Sequence, residues 1–454
     1  MITGTDISFF FDPGSIAVVG ASPTPGKPSH IILENLKIIG FKGTTYPVNP
    51  KYSYIGDLKC YSSLTEIKDN IDVAIFVLPA SKVLETLKEA DNLKGAIIVS
   101  GGFKEVGDEG RKLEEELKKV IVRKGIRVLG PNCLGVYDTI SSVDTFFVTG
   151  EKVERPKKGG LSILTQSGSF ALMIMDEMAK DDIGVARVVS YGNMADVSES
   201  DCLDFLADDV ATKVVVLYIE SVVDGMKFVV SASRCAKKKP VVAVKVGKRE
   251  TGVHAARSHT GAVSGRYEIY RAAFKKAGII EVDGYEGLKD ACKVLNSYTP
   301  VEGKKVLIIT DGGGVGVSMA DACEDLGLEV TGLTEDTRKR LRSKLPVISA
   351  TGNPIDLTGS VTDEDYVTAL KEGFRDGYDL AIVTTLWAPP KLTEGLVDKL
   401  KGVMEICNKP LIICSPGGKF ARRMSKVFEE MGMPVFFTPE SAARAAAVLT
   451  GCKR

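Results

Sequence analysis

The sequence predicts an α/β chain of three modules, an N-terminal Rossmann-like domain followed by two flavodoxin-like domains with parallel sheets. Three observations predict it. Short β-branched runs alternate with amphipathic stretches, the pattern of parallel strands covered by helices on both faces. That grammar restarts twice, each time after a polar segment rich in Pro and Gly. The chain has 454 residues, which at about 150 per domain leaves room for three separate cores.

Taken in order, residues 15–20, 73–78 and 95–100 read as buried strands, with helical periodicity over 82–90 and 109–124 between and after them. The polar run 152–160 precedes the next strand at 161–165, and the run 298–304 precedes another at 305–310. The modules are therefore expected at 1–152, 153–299 and 300–454.

Composition removes several function classes. Lys plus Arg is 59 and Asp plus Glu is 59, so no bulk charge draws the chain to nucleic acid or anionic lipid. Hydrophobic residues at 44% and charged residues at 26% fit an ordinary globular protein. No apolar run reaches the roughly 18 residues of a membrane span, and the N-terminus lacks the basic start and apolar core of a leader peptide. Nine cysteines occur without a CxxC pair, which suits reduced thiols and a cytoplasmic location. Three histidines leave few places for imidazole chemistry.

In the first module a strand runs into Gly20-Ala21-Ser22-Pro23-Thr24-Pro25-Gly26-Lys27 and then a helical stretch. Such a turn aims unpaired backbone N–H groups at phosphate. It departs from GxGxxG, and the second strand ends in Asn49-Pro50-Lys51 instead of the acidic residue an NAD ribose would want. Lys27 and Lys51 put positive charge where additional phosphates could sit, which favours coenzyme A over NAD. A turn that only closes a βα unit is the bland alternative. Pro79, Ser100 and Asn132 each follow a predicted strand and belong to the same expected ligand edge. Cys133 stands beside them as a thiol, with no histidine near it in sequence.

The second module begins Thr165-Gln166-Ser167-Gly168-Ser169 and the third Thr310-Asp311-Gly312-Gly313-Gly314, each at a strand-to-helix junction. Both are expected to be anion sockets. Ser167 is not in a G-x-S-x-G elbow, and no Gly-Lys-Ser/Thr follows the glycines, so a serine hydrolase and a P-loop are both disfavoured. Between them, residues 245–265 hold two of the three histidines, His254 and His259, with four basic residues and four glycines. A neutral imidazole nitrogen can attack phosphorus when a carboxylate holds its other nitrogen. Glu220, at the end of the strand 214–219, is the expected carboxylate. No Cys/His set with zinc spacing accompanies the pair, and no metal site is expected.

At SIAVVGASPTPGK, PVNP, GPNCLG, LTQSGS, the Gly192–Asp196 turn, LYIES, SHTGAVSG, TDGGGVGV and NPIDLTG the chain resembles the α subunit of NDP-forming acyl-CoA synthetases (ADP-forming acetyl-CoA synthetases), of the succinyl-CoA synthetase superfamily. The resemblance covers essentially the whole chain. It implies that the first module binds coenzyme A, that His259 of Ser-His-Thr-Gly carries a phosphoryl group and that Glu220 orients it. His254, five residues earlier, departs from the usual pattern and is a second candidate carrier. The implied reaction is acyl-CoA + ADP + phosphate ⇌ carboxylate + CoA + ATP. ADP/ATP and Mg²⁺ are expected on a separate ATP-grasp β subunit, in an α2β2 assembly. The alternative is a non-catalytic CoA-binding regulator of the same fold, which the presence of both His259 and Glu220 disfavours.

Overall fold

The computed structural model describes residues 6–252 and 265–451. His254 and His259 lie outside the described residues. The chain forms two compact units, one ending at Glu281 and the other beginning at Val282.

In the first unit the strands are β1 (Ser15–Val19), β2 (Thr44–Val48), β3 (Tyr54–Ile55), β4 (Leu58–Lys59), β5 (Ile71–Phe76), β6 (Leu93–Ile98), β7 (Arg127–Leu129), β8 (Gly135–Asp138), β9 (Val143–Asp144), β10 (Lys158–Thr165), β11 (Val185–Ser190), β12 (Val214–Ile219), β13 (Val241–Lys245) and β14 (Ile280–Glu281). They build a five-stranded parallel sheet in the order β2-β1-β5-β6-β7, a seven-stranded sheet in the order β14-β13-β12-β10-β11-β8-β9, and a separate antiparallel pair, β3 with β4. β1 and β5 are buried along almost their whole length, which is why they read as continuous apolar runs without alternation. β8 precedes the polar run at 152–160, yet it pairs antiparallel with β11, Gly135 opposite Ser190. The segment that leaves β7 thus crosses directly into the second sheet.

The second unit carries β15 (Val306–Thr310), β16 (Ala350–Thr351), β17 (Ile355–Asp356), β18 (Leu380–Thr384), β19 (Leu411–Cys414) and β20 (Val435–Phe436), in the order β16-β17-β15-β18-β19-β20. All neighbours are parallel except β16 with β17. The helix Gly284–Ser297 belongs to this unit and packs on Pro439–Leu449. Buried Asp290 accepts from Arg444 Nε at 2.8 Å across that contact. Among the described residues no helix is long and apolar enough to cross a membrane.

Candidate active site

In the first sheet β1 has β2 on one side and β5 on the other, so the loops leaving β1 and β5 diverge there and open a crevice at the carboxyl ends of the strands. The predicted turn lines it. Gly20 has φ +87°, and a Cβ there would stand 2.4 Å from the Val77 carbonyl, so only glycine lets the two loops approach. Gly20 N and Ala21 N both donate to Val48 O, at 2.9 and 3.2 Å. Asn49 closes the turn from the neighbouring strand: its Nδ2 donates to Ala21 O at 2.7 Å and its Oδ1 accepts from Lys51 N at 3.0 Å. Ser22 is buried, and its Oγ accepts from Thr24 N. Lys27 and Lys51 are exposed, and Lys27 immediately precedes the helix Pro28–Ile39.

The remaining residues expected on this edge, Pro79, Ser100 and Asn132, follow the ends of β5, β6 and β7. Pro79 is the N-cap of the helix Ala80–Glu89. Ser100 Oγ accepts from Leu78 N at 3.1 Å, and Asn132, with φ +58°, donates its N–H to Ser100 O at 3.1 Å. Cys133 is buried, its Sγ 3.4 Å from Ile98 O, and burial pushes its thiol up to about 12. That environment makes it an inert packing residue.

A second group of loops belongs to the seven-stranded sheet. At the end of β10 the Thr165 hydroxyl accepts from Ser167 N at 3.0 Å and donates to Ser167 O at 3.1 Å, clipping the turn. Ser167 caps the helix Gly168–Lys180 by accepting from Phe170 N, and its Oγ lies 3.0 Å from Ser169 Oγ. Gln166 is buried and reaches sideways to the tip of β12. Its Oε1 accepts from both Glu220 N and Ser221 N at 2.7 Å, and its Nε2 donates to Ser221 Oγ at 3.0 Å. Glu220, 7% exposed, is therefore held where the sequence places it, at the strand tip beside the Gln166–Ser169 turn.

The two groups of loops are tied together. Asn193 N donates to Pro131 O at 2.8 Å and Ala195 N to Gly130 O at 2.9 Å. Asn193 Nδ2 bridges Glu105 Oε2 at 2.7 Å and Glu114 Oε2 at 3.0 Å, while Lys104 Nζ donates to Asn193 O. Glu105 in turn accepts from Gly102 N and Phe103 N. These hydrogen bonds, above all that of Asn193, hold its carboxyl below the usual range against the opposing effect of burial, which is the largest single influence. Arg127 Nε adds an ion pair to Asp196 at 2.9 Å. Hydrogen bonds thus lock the loops after β6 and β7 to the loop beside Gln166.

Gly312, Gly313 and Gly314 lie in the second unit, at the N-terminus of the helix Gly313–Asp325. Thr310 Oγ1 accepts from Gly312 N at 3.0 Å and donates to Gly312 O at 2.9 Å. No side chain caps this helix at Gly312. Asp311, 5% exposed, accepts from Leu386 N through Oδ2 at 2.9 Å. Burial, with nearby Asp356 adding to it, pushes Asp311 up to about 6.

Residues to which sequence reasoning assigned no role also line these loops. Lys245 ends β13 fully buried. Glu199 opens the helix Glu199–Asp208 at 1% exposure, and burial pushes it up to about 7. A lysine closing a β-branched run and an acid at a helix start were the only signals, and neither is distinctive.

Family models match along the chain: a CoA binding domain over residues 14–139, a succinyl-CoA ligase like flavodoxin domain over 158–295 and a ligase-CoA domain over 306–450. The chain is 39% identical over 97% of its length to an Archaeoglobus fulgidus protein named acetate–CoA ligase [ADP-forming] I, of whose length it spans 62%. It is 36% identical to acetate–CoA ligase [ADP-forming] II subunit alpha of Pyrococcus furiosus, over 98% of this chain and 97% of that one. The structure of Ca. Korarchaeum cryptofilum dinucleotide forming acetyl-coenzyme A synthetase 1, in complex with phosphate and ADP, matches with a TM-score of 0.90 at 31% identity, covering 99% of this chain and 97% of the other. With β1, β2 and β5–β7 forming the sheet of the CoA-binding domain and two flavodoxin-like sheets following it, the chain belongs to the ADP-forming acetate–CoA ligase family of NDP-forming acyl-CoA synthetases, where it aligns along nearly the whole of an alpha subunit.

Proposed function

We propose that this chain is the alpha subunit of an ADP-forming acyl-CoA synthetase, acting on acetyl-CoA or a related acyl-CoA. The observation that carries the reading is the bracing of Glu220 by Gln166 beside a strand-to-helix turn that opens toward the strand tips. Coenzyme A occupies the crevice of the first sheet, with Gly20, Ala21 and Ser22 approaching its pyrophosphate and Lys27 and Lys51 supplying charge. A phosphate oxygen attacks the thioester carbonyl, the C–S bond breaks, and the departing thiolate takes up a proton. An imidazole nitrogen of His259 then attacks the phosphorus of the acyl phosphate, releasing the carboxylate. Glu220 holds the other ring nitrogen and stabilises the cation. The turn at Gln166, Ser167, Gly168 and Ser169 stabilises the phosphoryl charge through backbone N–H groups, and the turn at Gly312, Gly313 and Gly314 is an anion socket of the second unit in its own right.

The phosphoryl group leaves His259 for ADP, whose site with its Mg²⁺ belongs to an ATP-grasp β subunit in an α2β2 assembly in the cytoplasm. Support for a partner comes from the Pyrococcus relative, which is named as a subunit, and support for phosphate and ADP from the Korarchaeum complex.

The test is direct. Incubated with radiolabelled phosphate and acetyl-CoA, the chain should acquire a base-stable, acid-labile label. His259→Ala should abolish it and His254→Ala should leave it. Loss in the second variant alone would move the carrier to His254, and an unlabelled wild-type chain would favour a non-catalytic CoA-binding protein.

A further inference from the structure

Glu220 is gripped from two sides. On one, its N–H and that of Ser221 donate to Gln166 Oε1. On the other, Lys245 Nζ donates to the Glu220 carbonyl at 2.8 Å. β12 and β13 run parallel with Ile219 opposite Lys245, so the lysine stem starts one residue short of the peptide it holds. The same ammonium donates to Val246 O, and Val246 N donates to Ile219 O at 3.1 Å. Lys245 is 1% exposed, and its Nζ lies 4.6 Å from the centroid of the Tyr270 ring, which covers it from the helix Tyr267–Ala277.

Burying an ammonium is costly, and a lysine needed only to fill space would be replaced more cheaply by leucine or methionine. Burial lowers this ammonium to about 8, with nearby Glu220 opposing the shift and Lys248 adding to it. The cation is retained through charge-assisted bonds to two main-chain carbonyls, and both carbonyls lie at the strand tips beside the Gln166 turn. An ammonium that ties Glu220 O to Val246 O fixes the direction in which the Glu220 side chain leaves its strand.

We propose that Lys245 is a positioning residue for phosphoryl transfer, fixing the Glu220 main chain from the side opposite Gln166. The inference rests on the function proposed above. In this role Lys245 acts through Glu220.

Two substitutions in the full chain test it. Lys245→Met keeps the apolar stem and removes the donor; Lys245→Gln keeps one uncharged donor. Labelling from radioactive phosphate and acetyl-CoA is timed, and acetyl-CoA affinity is measured separately by calorimetry. Lys245→Met should slow labelling about 10- to 100-fold, the loss expected for a charge-assisted bond, with acetyl-CoA affinity unchanged. Lys245→Gln should recover part of that rate. Labelling by Lys245→Met at the wild-type rate overturns the inference, and so does a parallel fall in labelling and affinity, which marks a merely structural lysine. If Lys245→Met does not fold, Lys245→Gln decides alone: slower labelling at unchanged affinity supports the inference, and the wild-type rate overturns it. An unlabelled wild-type chain sinks the proposed function and this inference together; a labelled wild type with unaffected variants sinks the inference only.

Discussion

The turns after β10 and β15 are built on one plan and differ most in charge at one residue, Gln166 against Asp311. In each, a fully buried threonine ends the strand and its hydroxyl clips the residue two positions on, Thr165 to Ser167 and Thr310 to Gly312. In each, the residue between them reaches to the strand beside it and accepts main-chain N–H groups just past that strand's end. Gln166 does this for Glu220 and Ser221 beyond β12, and Asp311 does it for Leu386 beyond β18. The amide of Gln166 does so without adding charge beside the turn. Asp311 puts a buried carboxyl at the same place, pushed up to about 6. The clip and the sideways reach are therefore scaffold, and the charge of the middle residue and the Ser167 cap are what separate the two turns.

The largest effect is expected where the scaffold carries Glu220. Gln166→Leu removes the acceptor of two buried N–H groups and the donor to Ser221, and each such group costs about 1–3 kcal/mol when left unpaired. Labelling from phosphate and acetyl-CoA should fall on the order of 100-fold or more. Gln166→Glu, which makes the first turn resemble the second, should fall at least as far, because it places a carboxylate beside the incoming anion. Labelling of Gln166→Glu at the wild-type rate would show that the charge of the middle residue is irrelevant.

Asp311→Asn is the converse exchange. A carboxyl raised from its ordinary 3.8 to about 6 in the folded chain binds its proton more tightly there than in the unfolded chain. Its contribution therefore favours the native state most at low pH. That advantage is lost as pH rises from about 4 to about 6, and above 6 ionisation costs up to about 3 kcal/mol. Asp311→Asn keeps an acceptor for Leu386 N and removes this cost. Unfolding can be followed through Trp387, the single tryptophan, whose Nε1 donates to Ser415 Oγ at 3.0 Å. At pH 7 the variant should be the more stable, and the difference should vanish near pH 4. A difference independent of pH would mean that Asp311 is not the group responsible.

The two turns also mark what could be read from the sequence. LTQSG and TDGGG are local signals, a β-branched run breaking into small residues, and they predict the strand-to-helix junctions, as the apolar run 214–219 predicts a strand that ends at Glu220. The Gly20 turn was legible for the same reason, since glycine is needed where the Val77 carbonyl approaches. The bonds that make these turns a site join residues far apart in the chain. Gln166 meets Glu220, Asn193 meets Glu105 and Glu114, and Lys245 meets Glu220 through strand order and register that no local pattern encodes. The β8 pairing with β11 was hidden likewise, because the polar run that suggests a boundary follows the strand instead of preceding it.

The smallest effect tests whether the shared clip is one device. Thr165→Val and Thr310→Val preserve shape and remove one hydroxyl each from a fully buried strand end. Each leaves Ser167 N or Gly312 N without its acceptor, at about 1–2 kcal/mol. By hydrogen exchange, the amides of the first helical turn should lose protection about 5- to 30-fold in both variants, since the exchange rate follows the local opening free energy. The helix behind Thr165 carries a side-chain cap at Ser167 and the helix behind Thr310 has none, so the second should open slightly more. Function should separate what stability does not. Thr165→Val displaces the Gln166 backbone and slows labelling several-fold through Glu220, whereas Thr310→Val acts on a turn that holds no part of Glu220 and slows it less. Equal loss of protection with unequal loss of labelling fits one clip serving two turns; a Thr310→Val variant with wild-type protection would make the matching bond lengths at the two turns a coincidence of geometry.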